Sequence, residues 1–223
     1  MASSPTYDQS KQVAEAGRET EWTRPSFGRE LFLGRFRLDL IHPQPELDPA
    51  QVRKGEAFLE RLRVFLTERV DRQRIEREAE IPADVVQGLA DLGALGMKIP
   101  EEYGGLGLGQ VHYNKALAMA GTWHSSISTL LSAHQSIGLP EPLRLFGSEE
   151  QKREWLPKLA RDHVSAFLLT EPDVGSDPAR MSTTAIPTED GTGYRISGTK
   201  LWATNGAIAD VVVVMAVVPR SDG

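Results

Sequence analysis

Residues 148 to 170, SEEQKREWLPKLARDHVSAFLLT, hold the change of texture that decides the fold. The stretch opens as a helix. Ser148 to Gln151 makes a capping box in which Ser148 can accept a hydrogen bond from the Gln151 amide, and Glu149 and Glu150 stand where the helix dipole favours negative charge. The helix that follows is expected to bury Trp155, Leu156 and Leu159. Past Asp162 the helical period stops, and Val164 to Thr170 reads as a short apolar strand.

Upstream of this switch everything is helical in pattern. Phe58, Leu62, Phe65, Leu66 and Val70 recur at spacings of three and four, as do Val85, Leu89 and Leu92, each stripe marking one buried helix face. Ile81-Pro82 starts the second helix, Pro100 to Gly109 is a loop, and a Ser/Ala-rich apolar helix over 125 to 138 ends where Leu139-Pro140 and Pro142 bend the chain. Downstream, Met181 to Ile186, Tyr194 to Ser197, Lys200 to Thr204 and Val211 to Val218 read as strands, with turns at Asp190-Gly191 and Ser197-Gly198. Helices first and antiparallel strands afterwards predict the α+β class: an all-α bundle over 48 to 162, then an antiparallel β-domain over 163 to 223. Residues 1 to 47 are expected to form an extended N-terminal segment, of which 1 to 26 are polar and expected to be mobile. Val211 to Val218 is apolar enough for burial on both faces, yet only a turn follows it, so the β-domain reads as truncated.

The composition excludes several classes. The 223 residues are 40% hydrophobic, carry a net charge of −6 and include no cysteine. That is enough apolar material for one or two cored domains. The acidic balance and the lack of a basic block argue against nucleic acid as the main partner. Without cysteine there is no disulfide, thiolate metal site or thiol nucleophile, and a reducing cytoplasm is the default compartment. No apolar stretch approaches the roughly 18 residues of a membrane helix, and acids mixed with the early Arg and Lys residues fit neither a secretory signal nor a transit peptide. His42, His112, His124, His134 and His163 are scattered without ligand spacing, so no metal site is expected. The glycines at 104, 105, 107 and 109 lack dinucleotide-loop spacing and read as a helix connection.

The strand at 164 to 170 stops in a knot, LLTEPDVGSD, residues 168 to 177. Thr170 closes the strand, Pro172 fixes a turn, Gly175 permits positive φ and close approach of a ligand, and Ser176 adds a hydroxyl; such a loop can cradle a phosphate. Taken alone, it reads more simply as an ordinary strand-ending turn with Asp177 bonding its own backbone. Trp202-Ala203-Thr204-Asn205-Gly206 repeats the theme with an aromatic face, a hydroxyl and a glycine turn. Two such strand ends together could hold a planar heterocycle, with Trp202 flanking it and Thr170 and Thr204 bonding its edges. An isolated Trp-x-Thr is more simply a core Trp beside a β-forming Thr. Glu171 and Asp177 lie inside the knot and are expected to order it through backbone bonds rather than to act as a base.

PEEYGGLG (100 to 107), AHQSIGL (133 to 139), GSEEQKREWLPKLA (147 to 160), LTEPDVGSD (169 to 177) and GTKLWATNG (198 to 206) together resemble the acyl-CoA dehydrogenase family in order and spacing. They cover its N-terminal helical domain and the first part of its middle β-domain. GRELFLGRFRLDLIHPQPELD (28 to 48) and AHQSIGL further resemble the very-long-chain branch.

The resemblance implies that the knot is a clamp for FAD. Phe167, Leu169, Thr170, Gly175 and Ser176 would run along the isoalloxazine and pyrophosphate, and Trp202 and Thr204 would take its other contacts. Thr170 would bond the pyrimidine edge, Thr204 the N5 region, and Ser176 would also lie near the CoA moiety of an acyl-CoA substrate. Phe167 and Val174 depart from commoner family residues without disabling the motif. The implied reaction is α,β-dehydrogenation of a fatty acyl-CoA thioester, as in β-oxidation, with an electron-transfer flavoprotein as acceptor and a homo-oligomeric assembly. The family's catalytic base comes from a C-terminal domain that this chain does not reach, so no catalytic residue is assigned here. The family's acyl tunnel runs along the 125 to 138 helix, where the small residues Ser132 and Ala133 would leave room for a long chain. Two other readings share the architecture: an oxidase, which admits oxygen at the flavin, and a non-catalytic interaction protein that keeps the helical domain.

Overall fold

The computed structural model describes residues 25–44 and 46–219. The expectation for residues 1 to 26 therefore lies almost wholly outside the described residues, as does the turn beyond Pro219. Eight α-helices lead the described chain: α1 Phe27–Phe32, α2 Pro49–Arg69, α3 Arg72–Glu78, α4 Ala83–Asp91, α5 Gln110–Trp123, α6 Ser125–Ser132, α7 Pro140–Phe146 and α8 Glu149–Arg161. Four short strands follow: β1 Ser165–Leu168, β2 Thr184–Pro187, β3 Tyr194–Ser197 and β4 Val211–Val214. The α+β order is as expected. Among the described residues no helix is long and apolar enough to cross a membrane.

The helical unit is built around α2. Asp48 caps it by accepting from the Ala50 amide, Pro49 fills the first turn, and Phe58, Leu59, Leu62 and Leu66 are buried along one face. Those side chains join Leu89, Leu95, Met97, Ala116, Ala120, Ile127 and Leu131 in one core. Gly55 is where α2 meets α5: a Cβ there would lie 2.2 Å from the His112 Cγ. An alanine at 55 would gain about 1 kcal/mol of helix propensity but would press on a buried ring, and overpacking costs roughly 1–3 kcal/mol. Gly55→Ala should therefore lower stability by up to about 2 kcal/mol in a urea titration. A stabilised variant would show that the α2–α5 contact can relax.

The capping box of α8 is complete, with Gln151 N donating to Ser148 Oγ at 3.2 Å and Ser148 N donating to Gln151 Oε1 at 2.9 Å. Leu156 and Leu159 are buried as expected, whereas Trp155 is only half-buried. Three helical expectations need correction. The helix at Ile81-Pro82 is not the second, because α3 precedes it; with Ile75 its only buried residue, α3 is too short to print a periodic stripe. The 125 to 138 helix is α-helical only to Ser132 and continues as a π-helical turn over Ala133–Ile137. In that wider turn the consecutive residues His134 and Gln135 are both buried. Residues 27 to 40 are not simply extended either, since α1 and a 3-10 turn at Leu38–Leu40 lie there.

The strands pair in two small sheets. β2 and β3 form the expected antiparallel hairpin about Asp190-Gly191, in register Thr184↔Ser197 to Pro187↔Tyr194. β1 and β4 run parallel, Ser165↔Val211 to Leu168↔Val214, so the antiparallel expectation fails for this pair. The reason is topological: the hairpin and the 198 to 206 stretch lie between them, and the chain re-enters beside β1 in its original direction. Val217 bridges the two sheets, donating to Thr183 O and accepting from Ala185 N. Lys200 to Thr204 is not a strand, because Trp202 has φ 57° and cannot continue a ladder. Val212 and Val218 are 43% and 50% exposed, so Val211 to Val218 is not buried on both faces; among the described residues no second layer covers it.

Candidate functional site

The knot is a closed turn. Glu171 N donates to Val174 O at 3.0 Å and Val174 N donates to Glu171 O at 3.1 Å, with Pro172 and Asp173 at the corner. Val174 is buried beneath it, and Gly175, Ser176 and Asp177 form an exposed rim. Gly175 does not take positive φ, contrary to expectation; a Cβ at 175 would meet nothing within 4 Å. Its contribution is open space above the backbone rather than a left-handed conformation.

The second stretch is tied to the knot at one end and to the helical unit at the other. Leu201 N donates to Thr170 O at 2.8 Å, which sets the two stretches side by side. Asn205, at φ 67°, donates through Nδ2 to Leu130 O of α6 at 3.0 Å and to Ser165 O of β1 at 3.3 Å. Sequence reasoning passed over Asn205, although Asn before Gly is the pair best suited to a left-handed turn. Between these anchors Trp202 is 86% exposed. That overturns the core reading of Trp202: a bulky residue held at positive φ, at a cost of order 1–3 kcal/mol, with its ring presented to solvent.

Thr204 lies in an open cleft of about 410 Å³ between the 203 to 208 turn and α6, whose wall there is Ser125, Ser126, Thr129 and Leu130. Ser132 and Ala133 lie further along, outside this cleft, Ser132 half-buried and Ala133 buried. Phe167 pairs with Val213 in the β1–β4 ladder, and Leu169 and Thr170 follow half-buried. Among the described residues none bonds the side-chain hydroxyls of Thr170, Ser176 or Thr204. An exposed aromatic face, three unengaged hydroxyls and an open glycine rim fit a planar heterocycle joined to an anionic chain.

Glu171 is committed to the loop, as expected. Its Oε2 accepts from Ser182 N at 2.6 Å and Ser182 Oγ at 2.7 Å, and its Oε1 from Thr183 N at 2.9 Å and Lys200 Nζ at 2.8 Å. Burial opposes ionisation, but the Lys200 ammonium and the Ser182 and Thr183 donors outweigh it and hold the carboxyl well below the usual carboxylate range. A carboxylate so satisfied is the opposite of a desolvated, proton-hungry base. Asp177, by contrast, is exposed and contributes only its carbonyl, to Arg180 N at 3.2 Å. Among the described residues no cluster of His, Asp or Glu could hold a metal ion.

The helical unit and β1 meet at His134, which is fully buried. Its Nδ1 accepts from Ser165 N at 3.0 Å and lies 2.9 Å from Ser165 Oγ, which assigns the proton to Nε2, 3.1 Å from Leu159 O. Burial pushes this imidazole down to about 4, against the raising effect of the Leu159 and Leu95 carbonyls.

Comparison with known proteins supplies the family. Residues 53–163 match the acyl-CoA dehydrogenase N-terminal domain and residues 166–223 the acyl-CoA dehydrogenase middle domain. Probable acyl-CoA dehydrogenase FadE10 of Mycobacterium tuberculosis is 59% identical over 218 residues, 98% of this chain and 33% of its own length. The mitochondrial very long-chain specific acyl-CoA dehydrogenase of Homo sapiens is 37% identical over 199 residues, 88% of this chain and 30% of its own. An acyl-CoA dehydrogenase from Bacillus anthracis, solved in complex with FAD, superposes with a TM-score of 0.68 at 29% identity, covering 85% of this chain and 33% of that one. The chain thus spans about a third of the length of the curated relatives it matches. The two domain matches adjoin in the order helical then β, and the chain belongs to the acyl-CoA dehydrogenase family.

Proposed function

We propose that this chain supplies the helical wall and flavin clamp of an FAD-dependent fatty acyl-CoA dehydrogenase, with its domains at 48 to 162 and 163 to 223. The observation that carries the reading is the pairing of the knot with an exposed, left-handed Trp202 through the Leu201–Thr170 bond. FAD bound there supplies the hydride acceptor for α,β-dehydrogenation of an acyl-CoA thioester. The chain's own residues do the placing. Thr170 and Thr204 offer hydroxyls to the ring's polar edges, Trp202 covers a face and excludes water, and Phe167 and Leu169 back the strand. Gly175 and Ser176 leave backbone and hydroxyl donors open to the pyrophosphate and to CoA. The carboxylate that removes the α-proton is not Glu171, which is saturated with donors. An electron-transfer flavoprotein as oxidant, a homo-oligomeric assembly and a cytoplasmic setting complete the reading.

Losing one good hydrogen bond to a cofactor costs on the order of 1 kcal/mol. Thr170→Val should therefore weaken FAD binding by about fivefold in isothermal titration, with the melting temperature of the helical unit unchanged. Equal affinity in the variant would remove Thr170 from the site.

Long acyl chains are the proposed substrates, through the small residues Ser132 and Ala133 at the end of α6. Each buried methylene contributes about 0.8 kcal/mol before ordering costs, so four extra carbons in a matching tunnel should leave roughly a tenfold gain. Ala133→Phe should lower the ratio of palmitoyl-CoA to lauroyl-CoA affinity, ligands that differ by four carbons, by about that factor. Equal losses for both ligands would point to a disturbed bundle instead.

A further inference from the structure

Lys200 and Glu171 form an ion pair with side chains only 7% and 2% exposed. The ammonium of Lys200 spans from the second stretch to the knot, donating to Leu169 O at 2.9 Å and Glu171 Oε1 at 2.8 Å. Glu171 in turn collects the Ser182 and Thr183 amides and the Ser182 hydroxyl. Three chain segments, 169 to 171, 182 to 183 and 198 to 201, thus converge on one carboxylate. Their approach is tight, since a Cβ at Gly198, where φ is 155°, would lie 2.3 Å from Thr183 Oγ1. A buried pair pays desolvation on both ions, and an apolar pair of similar volume often leaves a fold as stable or more so. The bonds therefore contribute directed geometry more than net stability.

We propose that Lys200 and Glu171 are positioning residues that fix the spacing between the knot and Trp202–Thr204, and hence the width of the slot that receives the flavin. The proposal rests on the flavin reading above. Thr170 and Leu169 on one wall and Leu201 and Trp202 on the other adjoin this pair in sequence. If the latch opens, the Leu201–Thr170 bond is the first to feel it.

The test uses Lys200→Met, Glu171→Gln and the double variant in the full chain, with three readouts. These are FAD affinity and the absorption band shape of bound FAD, hydrogen exchange at the Leu201 amide, and thermal unfolding. Lys200→Met, which strands a buried carboxylate, should weaken FAD binding about tenfold or more, alter the bound-flavin spectrum and speed Leu201 exchange about tenfold. In the double variant thermal stability should return towards wild type while FAD affinity and the spectrum do not. FAD affinity that recovers together with stability, or Leu201 exchange that ignores Lys200→Met, overturns the proposal. Should Lys200→Met fail to fold, Glu171→Gln and the double variant carry the same comparison. Wild type that takes up no FAD overturns the functional reading itself, an outcome separate from failure of the latch in a chain that binds.

Discussion

His134→Ala should destabilise the fold by about 5 kcal/mol or more. The substitution empties a fully buried site and strands the Ser165 amide and the Leu159 carbonyl, each of which pairs with the imidazole. A ring-sized cavity costs roughly 3–5 kcal/mol, and each stranded polar group adds about 1–3 kcal/mol where water cannot reach it. Urea unfolding of the two proteins measures the difference, and a loss below about 1 kcal/mol would mean that the joint between α-unit and β1 does not depend on this residue. The same group should shape the acid limb of stability. Its folded value is about 4 against an ordinary 6.5, so the unfolded chain takes up the proton first. The neutral-His contribution is complete above about pH 6.5 and is lost as pH falls towards 4, by up to about 1.4 kcal/mol per pH unit and about 3 kcal/mol in all. Glu171, depressed below its ordinary 4.5, begins to add its own loss only at lower pH. His134→Ala should therefore flatten stability between pH 6.5 and 4.5 and leave the steeper fall beneath it.

Gly138→Ala is the second large effect. A Cβ at this position would stand 2.3 Å from Ser165 Oγ, 2.4 Å from His134 O and 3.0 Å from Ala133 O. Two of those neighbours are backbone carbonyls of the π turn, and the third is the hydroxyl that accepts from Leu139 N at 3.1 Å and sits against His134 Nδ1. The methyl would displace the hydroxyl or spread the turn, a strain of roughly 1–3 kcal/mol plus the lost bonds. Alanine recovers only about 0.4–1 kcal/mol by stiffening the unfolded chain. A net loss of about 2 kcal/mol or more is expected from thermal unfolding, with Leu139 amide exchange accelerated. A neutral substitution would mean that α6 and β1 can separate without cost.

The helical half was legible because its signals are local. The capping box at Ser148 and the 3.6 period of Phe58 to Val70 each depend on residues within two turns, and each appears where the pattern placed it. The π turn was not legible, since His134 and Gln135 are adjacent and a regular helix would not bury both. Their partners, Ser165 and Leu159 for one and Ala94 and Lys98 for the other, lie far away in sequence. In the β half the residue types identified strands, yet the β1–β4 direction depends on a pairing across more than forty residues that no local pattern records. At the candidate site, the two left-handed residues differ in legibility. Asn205 before Gly206 carries a local signal for positive φ that was passed over, whereas at Trp202 positive φ is set by tertiary bonds and the letter does not announce it.

The β1–β4 pair bears on how the chain assembles during synthesis. α2, α5, α6 and α8 can close against neighbours already made, whereas Ser165 to Leu168 must wait for Val211 to Val214 to emerge before its ladder can form. Closing so long a loop carries an entropy cost, which the earlier Lys200–Glu171 and Asn205–Ser165 contacts reduce but do not remove. The knot and its ion pair need a shorter wait, only until Lys200 appears. A ribosome arrested shortly after residue 200 should thus carry a protected helical unit beside an open β1 edge. Vectorial order would make the strand ladder, rather than the hydrophobic core, the late and aggregation-exposed step.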